Sequence, residues 1–176
     1  MEEFDILVEE LAVEHRWRDA YRRLCLAESH ATPAVRRGLQ HADPRVRVRC
    51  CLILDHFLDE AALPELKANL DHPDEHVRTW AMHALACDRC KEGECRPAED
   101  DVVPIAIRML REDPSVLVRR QAAGMLGPAV HRRDDVVRAL VAAKDDDADP
   151  TVRKIAGWWA PGGPRFLKTA PRSRAR

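Results

Sequence analysis

Cys87, Cys90 and Cys95 fall within nine residues of a 176-residue chain that holds six cysteines. With His83 they read His-x3-Cys-x2-Cys-x4-Cys. Thiolates and an imidazole are the ligand types of a tetrahedral zinc ion. His83 and Cys87 stand at i and i+4, so they share a face of any helix that reaches Cys87. The two-residue gap between Cys87 and Cys90 suits one ion. Gly93 frees the backbone to bring Cys95 back. The expected structural zinc set is therefore His83, Cys87, Cys90 and Cys95, with His76, His131 or a water as rivals for the fourth place. Two other chemistries fit the same residues: a Cys90–Cys95 or Cys87–Cys95 disulfide, and reduced thiols without a ligand. Catalytic zinc is not expected, because three thiolates leave little Lewis acidity and no general base lies nearby in sequence. Glu92 and Glu94 read as solvated loop charges.

The rest of the composition limits the setting. Hydrophobic residues make up 45% and charged residues 34%, an ordinary globular balance, and the length suits one domain with a substantial core. No apolar run approaches the ~20 residues of a membrane span. The acidic start Met1-Glu2-Glu3-Phe4-Asp5 lacks the basic and apolar segments of a signal peptide. A cytoplasmic, reducing setting is expected, which favours metal or free thiols over disulfides. The net charge of −1 conceals blocks: residues 1–14 hold six acids and no Lys or Arg, whereas residues 15–49 hold nine arginines against three acids. A near-neutral total argues against a general nucleic-acid binder.

The elements that must position the cysteines come from a repeat. His41-Ala-Asp-Pro-Arg-Val-Arg, His72-Pro-Asp-Glu-His-Val-Arg, Asp113-Pro-Ser-Val-Leu-Val-Arg and Asp149-Pro-Thr-Val-Arg each end in Val-Arg. Four residues after each valine stands Cys50, Ala81, Ala122 or Ala156, and apolar residues follow at i+7 and i+8. That is the buried stripe of a helix. Aspartate caps the first N–H groups, and proline fits the first turn. A second apolar-periodic segment precedes each: Pro33–Gln40, Leu63–Leu70, Val102–Leu110 and Val136–Ala143. A pair near 3–13 and 18–27, its first helix acidic, completes about five helical hairpins, with residues 1–30 a degenerate first repeat. Successive valines are 31, 41 and 34 residues apart, so the excess falls on residues 87–97, an inserted loop between repeats.

The pattern Asp-Pro-x-Val-Arg-x-x-Ala-x-x-Ala-Leu resembles the HEAT-repeat family in its short bacterial, bilin-lyase-like form. The resemblance spans about residues 32–160. It implies an all-α fold, a right-handed α-solenoid over residues 1–160, and a non-catalytic scaffold that takes a protein or peptide on its concave face. It also implies that Arg47, Arg78, Arg119 and Arg153 form a structural ladder with acids at helix starts, for which Asp43, Asp74, Asp113 and Asp149 are the candidates. Arg45, Arg49, Trp80 and Trp158 are the expected partner-binding residues. HEAT-like DNA glycosylases and bilin lyases are the alternatives, but no residue set in this chain supports either activity.

Other residues read more plainly. Cys25, Cys50 and Cys51 are expected as small apolar helix residues, and Trp159 as core. The arginines of residues 16–49 either pair with acidic neighbours or face an anionic partner such as nucleic acid. After Ala160, Pro161-Gly162-Gly163-Pro164 breaks the helix, and residues 161–176 are expected as a flexible basic tail.

Overall fold

The second helix of each hairpin starts where its aspartate and proline dictate. In a computed structural model, which describes residues 3–87, 90–92 and 95–171, the Asp43 carboxylate accepts from Arg45 N at 2.8 Å. The Asp74 carboxylate accepts from His76 N and Val77 N, and Asp149 does the same for Thr151 N and Val152 N. Each cap residue is extended, which leaves its side chain free to turn back onto the first N–H groups. The third repeat differs. There Ser115 is the cap, accepting from Leu117 N, and Asp113 sits two residues earlier, accepting from Ser115 N. Pro44 and Pro150 occupy the first helical turn, as expected. Pro73 and Pro114 instead precede their caps, because in those repeats the capping residue follows the proline.

Among the described residues there are eleven α-helices and no strand. They are α1 (Glu3–Glu10), α2 (Trp17–Ala27), α3 (Thr32–Gly38), α4 (Pro44–His56), α5 (Leu63–Ala68), α6 (Glu75–Ala86), α7 (Glu99–Glu112), α8 (Val116–Leu126), α9 (Asp134–Asp146), α10 (Pro150–Trp159) and α11 (Pro164–Thr169). The chain divides into two compact units, Met1–Pro97 and Ala98–Arg176, with the boundary at the end of the cysteine-bearing connection.

In the first unit α4 packs against α6, and α3 and α5 cover their outer sides. The stripe Val46, Cys50, Ile53 and Leu54 meets Val77, Ala81, Ala84 and Leu85, all buried. In the second unit α7 packs on α8 and α9 on α10, burying Met109, Leu110, Val118, Leu126, Leu140 and Val152. Each such side chain contributes roughly 1.5–3 kcal/mol on leaving water. The column Cys50, Ala81, Ala122 and Ala156 is fully buried, and its small size lets neighbouring helices approach. Gly127 serves the same end: a Cβ there would fall inside the indole of Trp159, which is core as expected.

Part of the segment expected as a flexible basic tail is helical. Residues 164–169 form α11, held because the Phe166 ring lies 4.5 Å from the His131 ring. His131 Nε2 also lies 3.1 Å from Phe166 O and 3.0 Å from Thr169 Oγ1. Arg172, Arg174 and Arg176 lie outside the described residues, as do Gly93 and Glu94.

Candidate functional site

The connection between α6 and α7 starts as a helix cap. Cys87 follows the last residue of α6, and its N–H donates to His83 O at 2.9 Å. His83 and Cys87 therefore project from one face of the helix end, as their spacing requires. Cys90 then returns towards them. Its Sγ lies 3.2 Å from Cys87 Sγ and 3.6 Å from His83 Nε2. The fourth member of the group is Asp55, near the end of α4, whose Oδ2 lies 3.3 Å from His83 Nε2. One donor atom from each of Asp55, His83, Cys87 and Cys90 lies within 4.8 Å of all the others.

Asp55 is 3% exposed, and its Oδ1 is buried without a hydrogen-bond partner. The Cys90 thiol is pushed up to about 12 by its hydrogen bond with Cys87, by burial and by Asp55 beside it. Lys91 is buried too, and its ammonium donates to Ala84 O at 2.6 Å and Cys87 O at 3.1 Å, capping α6 with a positive charge. Glu92 N donates to His56 O, which ties the connection to the end of α4.

Cys95 does not belong to this group. It is half-buried, and its thiol is raised by burial first and then by the charges of Glu60 and Asp59. His76 sits at the start of α6, two turns from His83, and His131 is engaged by α11. The cysteines brought together are thus Cys87 and Cys90, and all six cysteines are free thiols. Burial raises the Cys51 thiol to about 12, and Cys50 goes up for the same reason. Both act as small apolar residues.

The same two helices carry a cleft at their other ends. Pro44, Arg45, Val48 and Arg49 of α4 and Asp74 and His76 of α6 line about 220 Å³. Starts meet starts and ends meet ends, so α4 and α6 run parallel. Arg45 and Asp55 are ten residues apart, roughly 15 Å along the helix. Arg45 is exposed and holds Asp43 with Nη2 2.6 Å from Oδ2. Arg49 faces inward. Its Nη1 donates to Leu11 O, its guanidinium lies 4.4 Å from the Trp17 ring centroid, and burial lowers its pKa. Arg49 thus both lines the cleft and locks α4 to the α1–α2 connection.

The arginine block is largely paired. Arg23 meets Glu3, Arg37 meets Asp5, Arg16 meets Glu10 and Arg36 meets Glu65. Three of these four acids come from the first fourteen residues, so the acidic and basic blocks of the sequence face each other.

Two of the ladder arginines, Arg47 and Arg119, bridge repeats, through Asn69 and Asp147. Arg47 donates to His41 O, Gln40 O and Asn69 Oδ1. Arg78 donates to His72 O and Pro73 O, and Arg153 to Asp147 O and Ala148 O. Arg119 holds the Asp147 carboxylate at 2.8 and 3.0 Å, together with the carbonyls of Asp113 and Pro114. The carboxylates of Asp43, Asp74 and Asp149 are directed onto N–H groups of their own helices. A long arginine at the first turn reaches back to carbonyls that the bend between hairpin helices leaves open. The cross-repeat partners are Asn69 and Asp147, at the ends of the next first helices.

Among known families, the one described as HEAT repeats matches residues 16–86. That segment is similar to HEAT repeats, and it holds α2 to α6. The match ends one residue before Cys87, so the cysteine-bearing connection lies beyond the HEAT consensus. Among solved structures, the chain resembles an engineered protein at 22% identity (TM-score 0.51, covering 89% of this chain and 79% of that one). It also resembles a designed armadillo repeat protein in complex with the peptide (KR)4, at 20% identity (TM-score 0.56, covering 89% and 80%). A second engineered protein matches at 18% identity (TM-score 0.53, covering 89% and 77%). These likenesses show the repeat fold. Comparison with curated proteins returns no match.

On the face formed by the second helices of these hairpins, Trp80 of α6 stands between His76 at the cleft and His83 of the Asp55–His83–Cys87–Cys90 group. It is half-buried, with its ring 5.3 Å from that of His83. Trp158 belongs to the other unit, where Lys154 and Arg165 lie 5.6 and 5.8 Å from its ring. Asp55 was invisible to motif reading. Its only signal is register: nine residues after the repeat valine, the other hairpins carry Ala86, Gly127 and Pro161. No helix among the described residues is long and apolar enough to cross a membrane.

Proposed function

We propose that the protein is a non-catalytic binding scaffold that takes a segment of a protein partner along the face formed by α4 and α6. The cleft between the starts of these helices carries the reading. Its floor, Pro44 and Val48, is apolar, and its rim offers a cation at Arg45 and a carboxylate at Asp74. An extended peptide presents the complementary pair of features, side chains to bury and a polar backbone to orient. Trp80, further along the same face, extends the surface with an aromatic anchor. The pairing of the arginine block with acids lowers the positive field that a nucleic-acid backbone needs, so a protein partner is favoured over DNA or RNA. Some scaffolds of this general fold hold peptides, the designed armadillo protein with (KR)4 among them. Zinc is the structural ion of the Cys87–Cys90 group in this reading, and a reducing compartment, the cytoplasm, keeps its thiols available.

The test is peptide selection from a random display library on the full chain. Affinity of the selected peptides is then measured by fluorescence polarisation for the parent, Val48→Glu and Arg120→Glu. Loss of about 10-fold or more with Val48→Glu, and no change with Arg120→Glu in the other unit, is expected. Peptides indifferent to Val48→Glu, or tight salt-dependent DNA binding in place of peptide binding, would refute the proposal.

A further inference from the structure

We infer that Asp55 is the fourth ligand, and that the ion joins α4 to the end of α6 and its following loop through Asp55, His83, Cys87 and Cys90. The inference rests on zinc as the ion, and it names the ligand set and the structural consequence. Zinc bonds of about 2.0–2.3 Å in a tetrahedron place the donors at edges of about 3.3–3.8 Å. Three edges are already near those lengths without an ion: Cys87 Sγ to Cys90 Sγ at 3.2 Å, Cys90 Sγ to His83 Nε2 at 3.6 Å, and His83 Nε2 to Asp55 Oδ2 at 3.3 Å. The remaining edges are at most 4.8 Å. Four side chains of ligand type from three segments of chain do not converge so closely for packing alone, because each must give up water to do so.

Asp55 supplies the second, independent sign. A carboxylate 3% exposed, with Oδ1 buried and unpartnered, is costly unless a cation completes it. The equivalent positions of the other repeats hold the uncharged Ala86, Gly127 and Pro161. Two thiolates, one imidazole and one carboxylate form a mixed soft and hard set that suits zinc. On binding, the two thiol protons leave to solvent and both sulfurs become thiolates. The loaded site then carries one net negative charge. The buried Lys91 ammonium, already on Cys87 O, supplies the compensating positive charge. The consequence is mechanical. The ion fixes the far end of the α4–α6 face, roughly 15 Å from the cleft, so that the two helices hold their spacing when a partner binds.

The experiment uses the full chain, stripped of metal and titrated with Zn2+ and with Co2+ as spectroscopic stand-in. The variants are Asp55→Asn, Asp55→Cys and Cys95→Ser. The parent and Cys95→Ser are expected to bind one ion per chain, with the thiolate-to-cobalt charge transfer of two sulfurs. Asp55→Asn is expected to bind at least about 100-fold more weakly, at or above the loss seen when an outer-shell partner is removed. Asp55→Cys is expected to keep the ion and gain a third sulfur in the cobalt spectrum, which answers the question even if Asp55→Asn fails to fold. Loss of binding in Cys95→Ser with retention in Asp55→Asn would make Cys95 the ligand and overturn the inference while leaving zinc in place. An unchanged two-sulfur spectrum in Asp55→Cys would overturn it as well. A parent that binds neither ion would overturn the zinc reading itself, and the inference with it.

Discussion

Replacing Arg119 by alanine removes the clearest bridge between repeats in the second unit. Arg119 Nε and Nη2 grip both oxygens of Asp147 at 2.8 and 3.0 Å, and Nη1 donates to Asp113 O and Pro114 O at 2.9 and 3.2 Å. The side chains are 14% and 7% exposed, so the pair is neither a surface pair nor fully dry. Exposed pairs are worth about 0–1 kcal/mol, whereas breaking a buried pair costs about 3–5 kcal/mol because one charge is stranded. With two charge-assisted bonds and two carbonyl bonds lost, we expect Arg119→Ala to cost about 3 kcal/mol. Asp147→Asn keeps the geometry and strands no acid, so its expected cost is about 1–2 kcal/mol. The double variant should be less unstable than the two losses added, with a coupling of about 1–3 kcal/mol.

The same pair has a pH signature. Burial pushes the Asp147 carboxyl up, but the hydrogen bond from Arg119 and that from Asp149 N outweigh it, and the net shift is downward from 3.8. A depressed carboxyl stabilises the fold above its ordinary value and loses that contribution as pH falls through the folded value. The gap between parent and Arg119→Ala should therefore be full at about pH 7 and shrink below about pH 4. Urea unfolding followed by the fluorescence of Trp158 and Trp159, which lie in the same unit, reads both quantities. A loss under about 1 kcal/mol at neutral pH, or costs that simply add, would show that the arginine column is decoration on a fold held by its apolar stripe alone.

Two further substitutions probe the packing. Gly127→Ala places a methyl group inside the Trp159 indole, so it should destabilise by about 1–3 kcal/mol and shift the Trp159 emission; an unchanged melting temperature would show that the ring has room to move. Arg49→Ala loses the bond to Leu11 O and the guanidinium over Trp17, an expected cost of about 2 kcal/mol that Arg49→Lys restores only in part; full rescue by lysine in urea unfolding would mean that charge alone, not the planar fork, is what α4 needs.

The sequence by itself determined the helices and their repeat. Asp43, Asp74 and Asp149 cap helices because the N–H groups they satisfy lie two or three residues away. The stripe from Val46 to Leu54 follows from the helical period alone. Local spacing likewise brought His83, Cys87 and Cys90 together, since each lies within one or two turns of the next. What only the tertiary structure decided is whatever depends on which repeat lies beside which. Asp55 is 32 residues from Cys87 in sequence, and only the parallel packing of α4 on α6 sets its carboxylate against His83. Cys95 is nearer in sequence and stands apart, because the connection carries it towards Asp59 and Glu60. Arg119 finds Asp147, and Arg47 finds Asn69, for the same reason. An arginine at a helix start has several acids within reach in sequence, and the geometry of stacked hairpins selects the one that faces it. The burial of Lys91 belongs to this class too. A lysine in a polar loop reads as solvated until the fold sets the open carbonyls of α6 above it.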